Sequence, residues 1–528
     1  MPEHRFKKSV LVEKFNSIRG KTLGEIDDVG MFEHMKQKGF KLQKGVAGAI
    51  IEQCVLKYEP DTKQEADLLI EDGDTELKVE LKVTGMRKSG SDNKQYIAKE
   101  PMSITAVGVY DLADQTFEES HFWEKLEHML IVFYHYIYDN NADVTPYDYK
   151  DFPVCDYEFH EFSESDKQTL CKDWNYVFEL VCDIVSHHPG IKDKDWKEAV
   201  KQEYIERHGI LRSQLSYIDL APKFPPRFRL KKPVVDTIIS NHFSKQKLEE
   251  LPGTYTEVSD IERKCTELTK QYKGKTIADL ADLFGVPKLT TEGKENKGIV
   301  EQIVVKMFGG ESKKLNNIGL FRRFGLIGKS IAITPKNTRT EDMKLFKPDF
   351  EEYRKTTVID EETGQERKIR FEDSSLYSYF ADHEFLLIVF EEPEKEYIKD
   401  SATGKRKEVK HPLAMNKFLG FKRLVFSDKL IDDSVKKLWN DTRDKIINKK
   451  LVINPILDAN GKQIINKNGS KREAPNFMKS SDNTVFIRGG ATDTSDKYKT
   501  EYINGLKMIP QYVWIRGSYI CDFIKNIQ

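Results

Sequence analysis

Residues 66–84 read Ala66-Asp67-Leu68-Leu69-Ile70-Glu71-Asp72-Gly73-Asp74-Thr75-Glu76-Leu77-Lys78-Val79-Glu80-Leu81-Lys82-Val83-Thr84. Asp72-Gly73 stands between two β-prone arms, which is a hairpin signal because glycine supplies the backbone conformation a tight turn demands. Side chains alternate along each arm with period two, so Glu80 and Lys82 share one face while Leu81 and Val83 take the other. Asp67, on the partner arm, then comes close to Glu80. Paired carboxylates are oxygen donors of the kind Mg2+ takes, and an adjacent lysine can orient or deprotonate an attacking water. The expected chemistry is phosphodiester hydrolysis. Glu76-Leu77-Lys78 repeats the triplet on the same face, so alternation alone leaves both triplets open.

Outward from this hairpin, Val46 to Tyr58 has helical periodicity and Leu130 to Phe133 reads as a core strand. Ser165 to His187 is an amphipathic helix with Leu170, Trp174, Val177, Phe178 and Val181 on one stripe. The fold class is therefore α+β. A chain of 528 residues is long enough for two to four domains. No run approaches the roughly 20 apolar residues a membrane helix needs, and no apolar segment follows the charged N-terminus, so a cytoplasmic location is expected. Six cysteines without a C-x-x-C pair read as reduced thiols, with Cys54 and Cys182 as small buried hydrophobes. His187-His188, at a helix end, reads as capping or solvent-facing rather than as a metal pair. The net charge of −1 excludes little, but its distribution matters. Lys223, Arg227, Arg229, Lys231, Lys232, Lys245 and Lys247 face a single acid, Asp236, which is the kind of patch that phosphate contact requires.

The chain also echoes itself. Gly20-Lys-Thr-Leu-Gly-Glu-Ile26 returns as Gly274-Lys-Thr-Ile-Ala-Asp-Leu280, and the Lys44–Gln53 segment as Lys297–Lys306. Met129-Leu-Ile-Val-Phe133 returns as Leu386-Leu-Ile-Val-Phe390, and Asp173-Trp174-Asn175 as Leu438-Trp439-Asn440. Matches in one order imply two tandem copies of a fold, 1–250 and 256–528, with a seam between 245 and 260. Glu361–Gln365 and Asp458–Gly461 read as hairpin tips inserted in the second copy. Alignment of Thr84 with Thr334 puts Ser330 at the place of Glu80, Ala332 at that of Lys82 and Val305 at that of Glu52. The second copy is thus expected to be catalytically degenerate, and a role in DNA binding or regulation is expected for it.

The N-terminal half resembles MutH, the methyl-directed mismatch-repair nicking endonuclease, and the whole chain resembles the two-domain type II restriction endonucleases that cut GATC. The resemblance rests on Gly20 to Glu25, on Lys44-Gly45 with Gly48 and Glu52, and on Glu80-Leu81-Lys82. It continues through Thr116 to Leu126, Asp173-Trp174, Arg207-His208-Gly209 and Phe228 to Lys232. It implies a restriction-endonuclease-like mixed-sheet fold of the PD-(D/E)xK, MutH type, with catalytic Asp67, Glu80 and Lys82. Glu52 would complete a Mg2+ site with Asp67 and Glu80, and Lys125 would stand nearby. Lys44, Lys223, Arg227, Arg229, Lys231 and Lys232 would touch DNA. Because the spacer before Glu80 is longer than in MutH, Asp72 and Asp74 remain alternates to Asp67. Arg229 stands where MutH has a tyrosine linked to methylation sensing.

The activity implied is Mg2+-dependent cleavage of double-stranded DNA at GATC, leaving 5'-phosphates. A mismatch-repair nickase and a non-catalytic DNA-binding protein are the alternatives. A single active site must meet two scissile bonds in a palindrome, so dimerisation on DNA or sequential cutting is expected. A cognate methyltransferase would act on the same site without binding this chain.

Overall fold

A computed structural model describes residues 4–35, 45–58, 66–89, 95–137, 146–221, 224–244, 247–338, 341–359, 366–399, 406–409, 411–466, 468–491 and 493–525. Two compact units divide the chain. The first is Met1–Ile261 with Gly319–Gly325 and Thr357–Lys368; the second is Glu262–Ile318, Leu326–Thr356 and Ile369–Gln528. The division falls inside the Val258–Tyr272 helix, just beyond the expected seam.

The strands of the first unit are β1 (Arg5–Lys7), β2 (Leu68–Asp72), β3 (Thr75–Ser89), β4 (Gln95–Ala98), β5 (Met102–Ala106), β6 (Met129–His135), β7 (Val154–His160), β8 (Ile218–Leu220) and β9 (Arg227–Leu230). The main sheet runs β1-β2-β3-β6-β7, with β4 on the far end of β3. β2 and β3 are antiparallel and joined at Gly73, whose φ of +66° opens the turn. The turn residues are Gly73 and Asp74, with Asp72 and Thr75 as the closing pair. β3 and β6 are parallel, and a parallel pair needs a crossover. The His121–Glu127 helix supplies its last part, capped by Ser120, whose hydroxyl accepts from Trp123 N and donates to the Phe117 carbonyl.

Alternation decides what each sheet face meets. Leu68, Ile70, Val79, Leu81, Leu130 and Val132 pack on one face in a core with Leu11 and Phe15 of the Lys8–Ile18 helix and Ile50 of the Val46–Ile50 helix. On the other face Phe133 meets the rings of His242 and Phe243. The expected helix from Val46 is present but ends at Leu56, its second half wound as a π-helical turn, Ile51–Leu56. The expected helical stripe holds too: Leu170, Trp174, Val177 and Val181 are buried in Glu164–His187, and Phe178 stacks on Trp174. β5, β9 and β8 form a separate small sheet. Among the described residues no helix is long and apolar enough to cross a membrane. All six cysteines are free; Cys54 is buried as expected and Cys182 only partly so.

The second unit has a local arrangement of the same kind. Strand Leu326–Ile333 is parallel to Glu384–Glu391, which is antiparallel to Lys417–Leu424. The Ser375–Asp382 helix precedes the middle strand, with Ser374 repeating the Ser120 cap: it accepts from Tyr377 N and donates to the Phe371 carbonyl. Asp458–Gly461 is the expected hairpin tip, closed by Asp458 N donating to the Lys462 carbonyl at 2.8 Å. Residues 361–365, the other expected tip, lie outside the described residues.

Strand phase in the two units suggests a different matching from the alignment on Thr84 and Thr334. In the first unit the crossover helix lies over the Glu80 face, because Lys125 on that helix reaches Glu80. In the second unit the corresponding helix puts Tyr379 against Phe385, with ring centroids 6.1 Å apart. Phe385 pairs with Ile327 and Leu387 with Lys329, so the helix-facing side of the outer strand carries Ile327, Lys329 and Ile331. A register shift follows Phe133 in one unit and Val389 in the other, which matches Met129 with Phe385 rather than with Leu386. Ile327 pairs with Phe385 as Glu80 pairs with Met129, and Lys329 pairs with Leu387 as Lys82 pairs with Ile131. Ser330 and Ala332 point to the opposite face. The letter-for-letter match of the two Leu-Ile-Val-Phe runs differs from this strand phase by one residue, and a one-residue slip exchanges the faces of a strand.

Candidate active site

Glu80 is 3% exposed, in the middle of β3. Its two carboxylate oxygens are both occupied: Oε1 accepts from Lys82 Nζ and Oε2 from Lys125 Nζ, each at 2.8 Å. Strand alternation brings Lys82 alongside, and the crossover helix brings Lys125 in from above. Both lysine side chains are largely buried. Burial pushes the Glu80 carboxyl up, but the two ammonium groups outweigh it and hold the acid below its ordinary value. The carboxylate is therefore charged throughout the neutral range.

Asp67 immediately precedes β2. The β2–β3 register pairs Leu68 with Val79, and one further step sets Asp67 opposite Glu80. Its Oδ2 accepts from Leu81 N at 3.1 Å, so this carboxylate sits against the backbone between Glu80 and Lys82. Glu52 is buried in the π-helical turn. The duplicate triplet has a different fate: Glu76 and Lys78 lie exposed near the hairpin tip, paired with Arg5 and Glu124. Asp72 forms an ion pair with Lys8, and Asp74 is exposed at the turn. Burial thus separates the two triplets that alternation could not.

Among the described residues, no three His, Cys, Asp or Glu side chains are grouped to hold an ion. Mg2+ commonly takes only one or two carboxylates and fills its remaining positions with water and substrate phosphate. The donor chemistry of Asp67 and Glu80 fits that habit.

The basic segment needs correction. Residues 227–232 form β9 followed by the first turn of the Lys232–Phe243 helix. Lys231 is buried, and its ammonium donates to the Leu215 carbonyl at 2.6 Å, which removes it from any DNA-facing surface. Arg229 is held by Asp219 across the β8–β9 pair, with Nε to Oδ1 at 3.0 Å and Nη2 to Oδ2 at 2.5 Å. Arg227 donates to Ser103 Oγ, and Lys232 pairs with Asp236. These three remain partly exposed. Lys44 and Lys223 lie outside the described residues.

Sequence reasoning gave no role to Asp173, which is 1% exposed and accepts from the backbone amides of Ser216, Tyr217 and Ile218. It anchors the approach to β8. Its place beside Trp174 in an apolar stripe was the available signal, since a buried carboxylate must find donors. His187 and His188 both contact Glu203, at 2.8 Å each, so they pin the end of their helix to the next one. Arg516 of the second unit donates to the Ser480 and Asn483 carbonyls, much as Lys231 does to Leu215.

Residues 56–173 match the family model described as "DNA mismatch repair enzyme MutH". That stretch contains β2, β3, the crossover helix and β6, with Asp67, Glu80, Lys82 and Lys125. The chain is 21% identical over 478 residues to the Type II restriction enzyme Sau3AI of Staphylococcus aureus, covering 86% of this chain and 88% of that protein. The mixed sheet with Glu80 and Lys82 side by side on β3 thus lies in a stretch that matches the MutH model, and the chain is similar along most of its length to a type II restriction enzyme.

Proposed function

We propose that the chain is a type II restriction endonuclease that cleaves double-stranded DNA at GATC by Mg2+-dependent hydrolysis, leaving 5'-phosphates. The observation that carries this reading is the buried Glu80 carboxylate clasped by Lys82 and Lys125, beside Asp67. Solvated-surface residues have no reason to be buried as an ion cluster, because taking charge out of water is costly unless it is paired.

Asp67 and Glu80 are the oxygen donors that would hold Mg2+, with Glu52 of the Ile51–Leu56 turn proposed as a third. When bound, the ion supplies Lewis acidity at a phosphoryl oxygen and lowers the pKa of water. Lys82 positions the attacking water and stabilises negative charge on the phosphate as it develops. Lys125 fixes the rotamer of Glu80 from the crossover helix. Arg227, Arg229 and Lys232, with Lys44 and Lys223, form the DNA-contacting set. Bidentate contacts to base edges in the major groove would supply the sequence preference.

The second unit reads as a duplicate of the first whose acid has become Ile327 while the lysine persists as Lys329. Support comes from the shared strand arrangement and the repeated serine cap. It would bind DNA or regulate the first unit, and two chains would meet on a palindromic duplex. The MutH match favours a nickase as the second reading.

Purified protein on unmethylated plasmid, with and without Mg2+, tests the proposal beside Glu80→Gln. Discrete Mg2+-dependent fragments ending at GATC and absent from the variant support it. Nicked circles alone favour the nickase, and unchanged DNA or equal cutting by the variant refutes both.

A further inference from the structure

The first unit contains seven residues, Gly319–Gly325, that the sequence supplies from far downstream and that second-unit residues flank on both sides. They are anchored at several points. Gly319 N donates to the Glu249 carbonyl at 2.8 Å, and Arg322 donates to Ser240 Oγ at 2.8 Å. Arg323 makes a two-pronged pair with Glu250, 2.7 Å for each prong, while its Nε donates to the Tyr217 hydroxyl at 3.0 Å. The Phe324 ring meets that of Tyr217 edge-on, with centroids 5.2 Å apart.

Tyr217 is the residue on which these contacts converge. It is 2% exposed, and its hydroxyl donates to Asp166. Its backbone N donates to Asp173, and its carbonyl accepts from Lys231 N at 2.8 Å. It immediately precedes β8, whose Asp219 clasps Arg229. Ser240 lies on the helix that begins at Lys232. The C-terminal side of the basic segment is therefore braced twice by one short piece of chain, through Tyr217 at Lys231 and through Ser240 on the helix that follows.

We infer that Gly319–Gly325 is a positioning strap for DNA binding by the first unit, acting through Tyr217 on the Arg227–Lys232 segment. The inference rests on the proposed role of that segment. A partly buried arginine with three oxygen partners is a brace, because each partner fixes a direction of its planar fork. The strap touches neither Glu80 nor Lys82, so its loss should weaken DNA capture and leave the chemical step alone.

The test uses full-length protein carrying Arg323→Ala, with Tyr217→Phe as a milder variant should the first fail to fold. Two readouts are taken. Amide hydrogen exchange without DNA should accelerate at 216–218 and 230–232 while 81–83 is unchanged. With a short duplex carrying one GATC, KM should rise about tenfold for Arg323→Ala while kcat holds, a size typical of a coupling lost at a distance. Unchanged exchange in both variants overturns the strap. Faster exchange with unchanged KM, or a fall in kcat with KM unmoved, overturns its link to DNA. If the unaltered protein cleaves nothing, the proposed activity is what has failed, and exchange together with duplex affinity decides the strap.

Discussion

Replacing Glu80 by alanine should do more than stop cleavage; it should loosen the centre of the sheet. The carboxylate is 3% exposed and each oxygen holds a lysine. Its removal leaves two buried ammonium groups, from Lys82 and Lys125, with their common partner gone. Breaking a fully buried pair by removing one member costs roughly 3–5 kcal/mol. The lysines retain 16% and 9% of their side-chain exposure and can relax toward water. The low end therefore applies, about 3 kcal/mol, or roughly a hundredfold in the opening equilibrium. A chain of two units need not unfold in one step, so amide exchange protection at Leu81–Val83 and Leu130–Val132 is a better gauge than a global melt. Glu80→Ala with Lys125→Met should recover much of that protection, since one stranded charge has gone, yet remain inactive. Wild-type protection in Glu80→Ala would refute the account of the cluster as a buried, mutually dependent ion group, whatever the activity did.

Arg227→Ala and Lys232→Ala should each lower the slope of log affinity against log salt by about one, as for a lost phosphate contact. Lys231→Ala should instead accelerate exchange across β8 and β9; an unchanged exchange rate would return Lys231 to the surface set. In the second unit, Ile327→Glu should raise the Lys329 pKa, which burial and the neighbouring Lys344 ammonium now hold below the ordinary value, whereas Ser330→Glu should not. Lysine side-chain NMR distinguishes the two, and the opposite result would restore the alignment on Thr334. His242 bridges Asp156 and Glu158, with Arg19 also on Asp156 and His160 also on Glu158. The bond to Glu158, opposed by burial, raises the His242 pKa above 6.5. That stabilisation is full below the unfolded pKa and disappears as pH rises through the folded value. Protection of the Lys232–Phe243 helix should therefore fall as pH rises above 6.5 through the raised His242 pKa, and His242→Asn should flatten the profile.

The hairpin was legible from residues 66–84 because a glycine turn and strict alternation leave few arrangements open. The buried triplet was not, since Glu76 and Lys78 match Glu80 and Lys82 in type and phase and differ only in what packs above them. That cover comes from the His121–Glu127 helix, and its lysine was identified by resemblance rather than by spacing. The 227–232 segment shows the limit of counting charge. Seven cations against one acid looked like open surface, but Lys231 is inside and Asp219, ten residues before Arg229, was outside the window counted. Phase in the second unit was lost for a related reason: apolar letters on a strand buried on both faces carry no mark of which face they occupy. Nothing local to Gly319–Gly325 announced that it completes a unit begun three hundred residues earlier.

That discontinuity bears on how the chain is made. During synthesis the residues of β3 and the crossover helix leave the ribosome early, but the first unit still awaits Gly319–Gly325 and Thr357–Lys368. At translation speeds of roughly 5–20 residues per second, the interval between Ile261 and Lys368 lasts on the order of 5–20 seconds. Through it the nascent chain already holds its acids and lysines but lacks the pieces that finish its own body. The first unit can therefore be complete only after most of the polypeptide has been built.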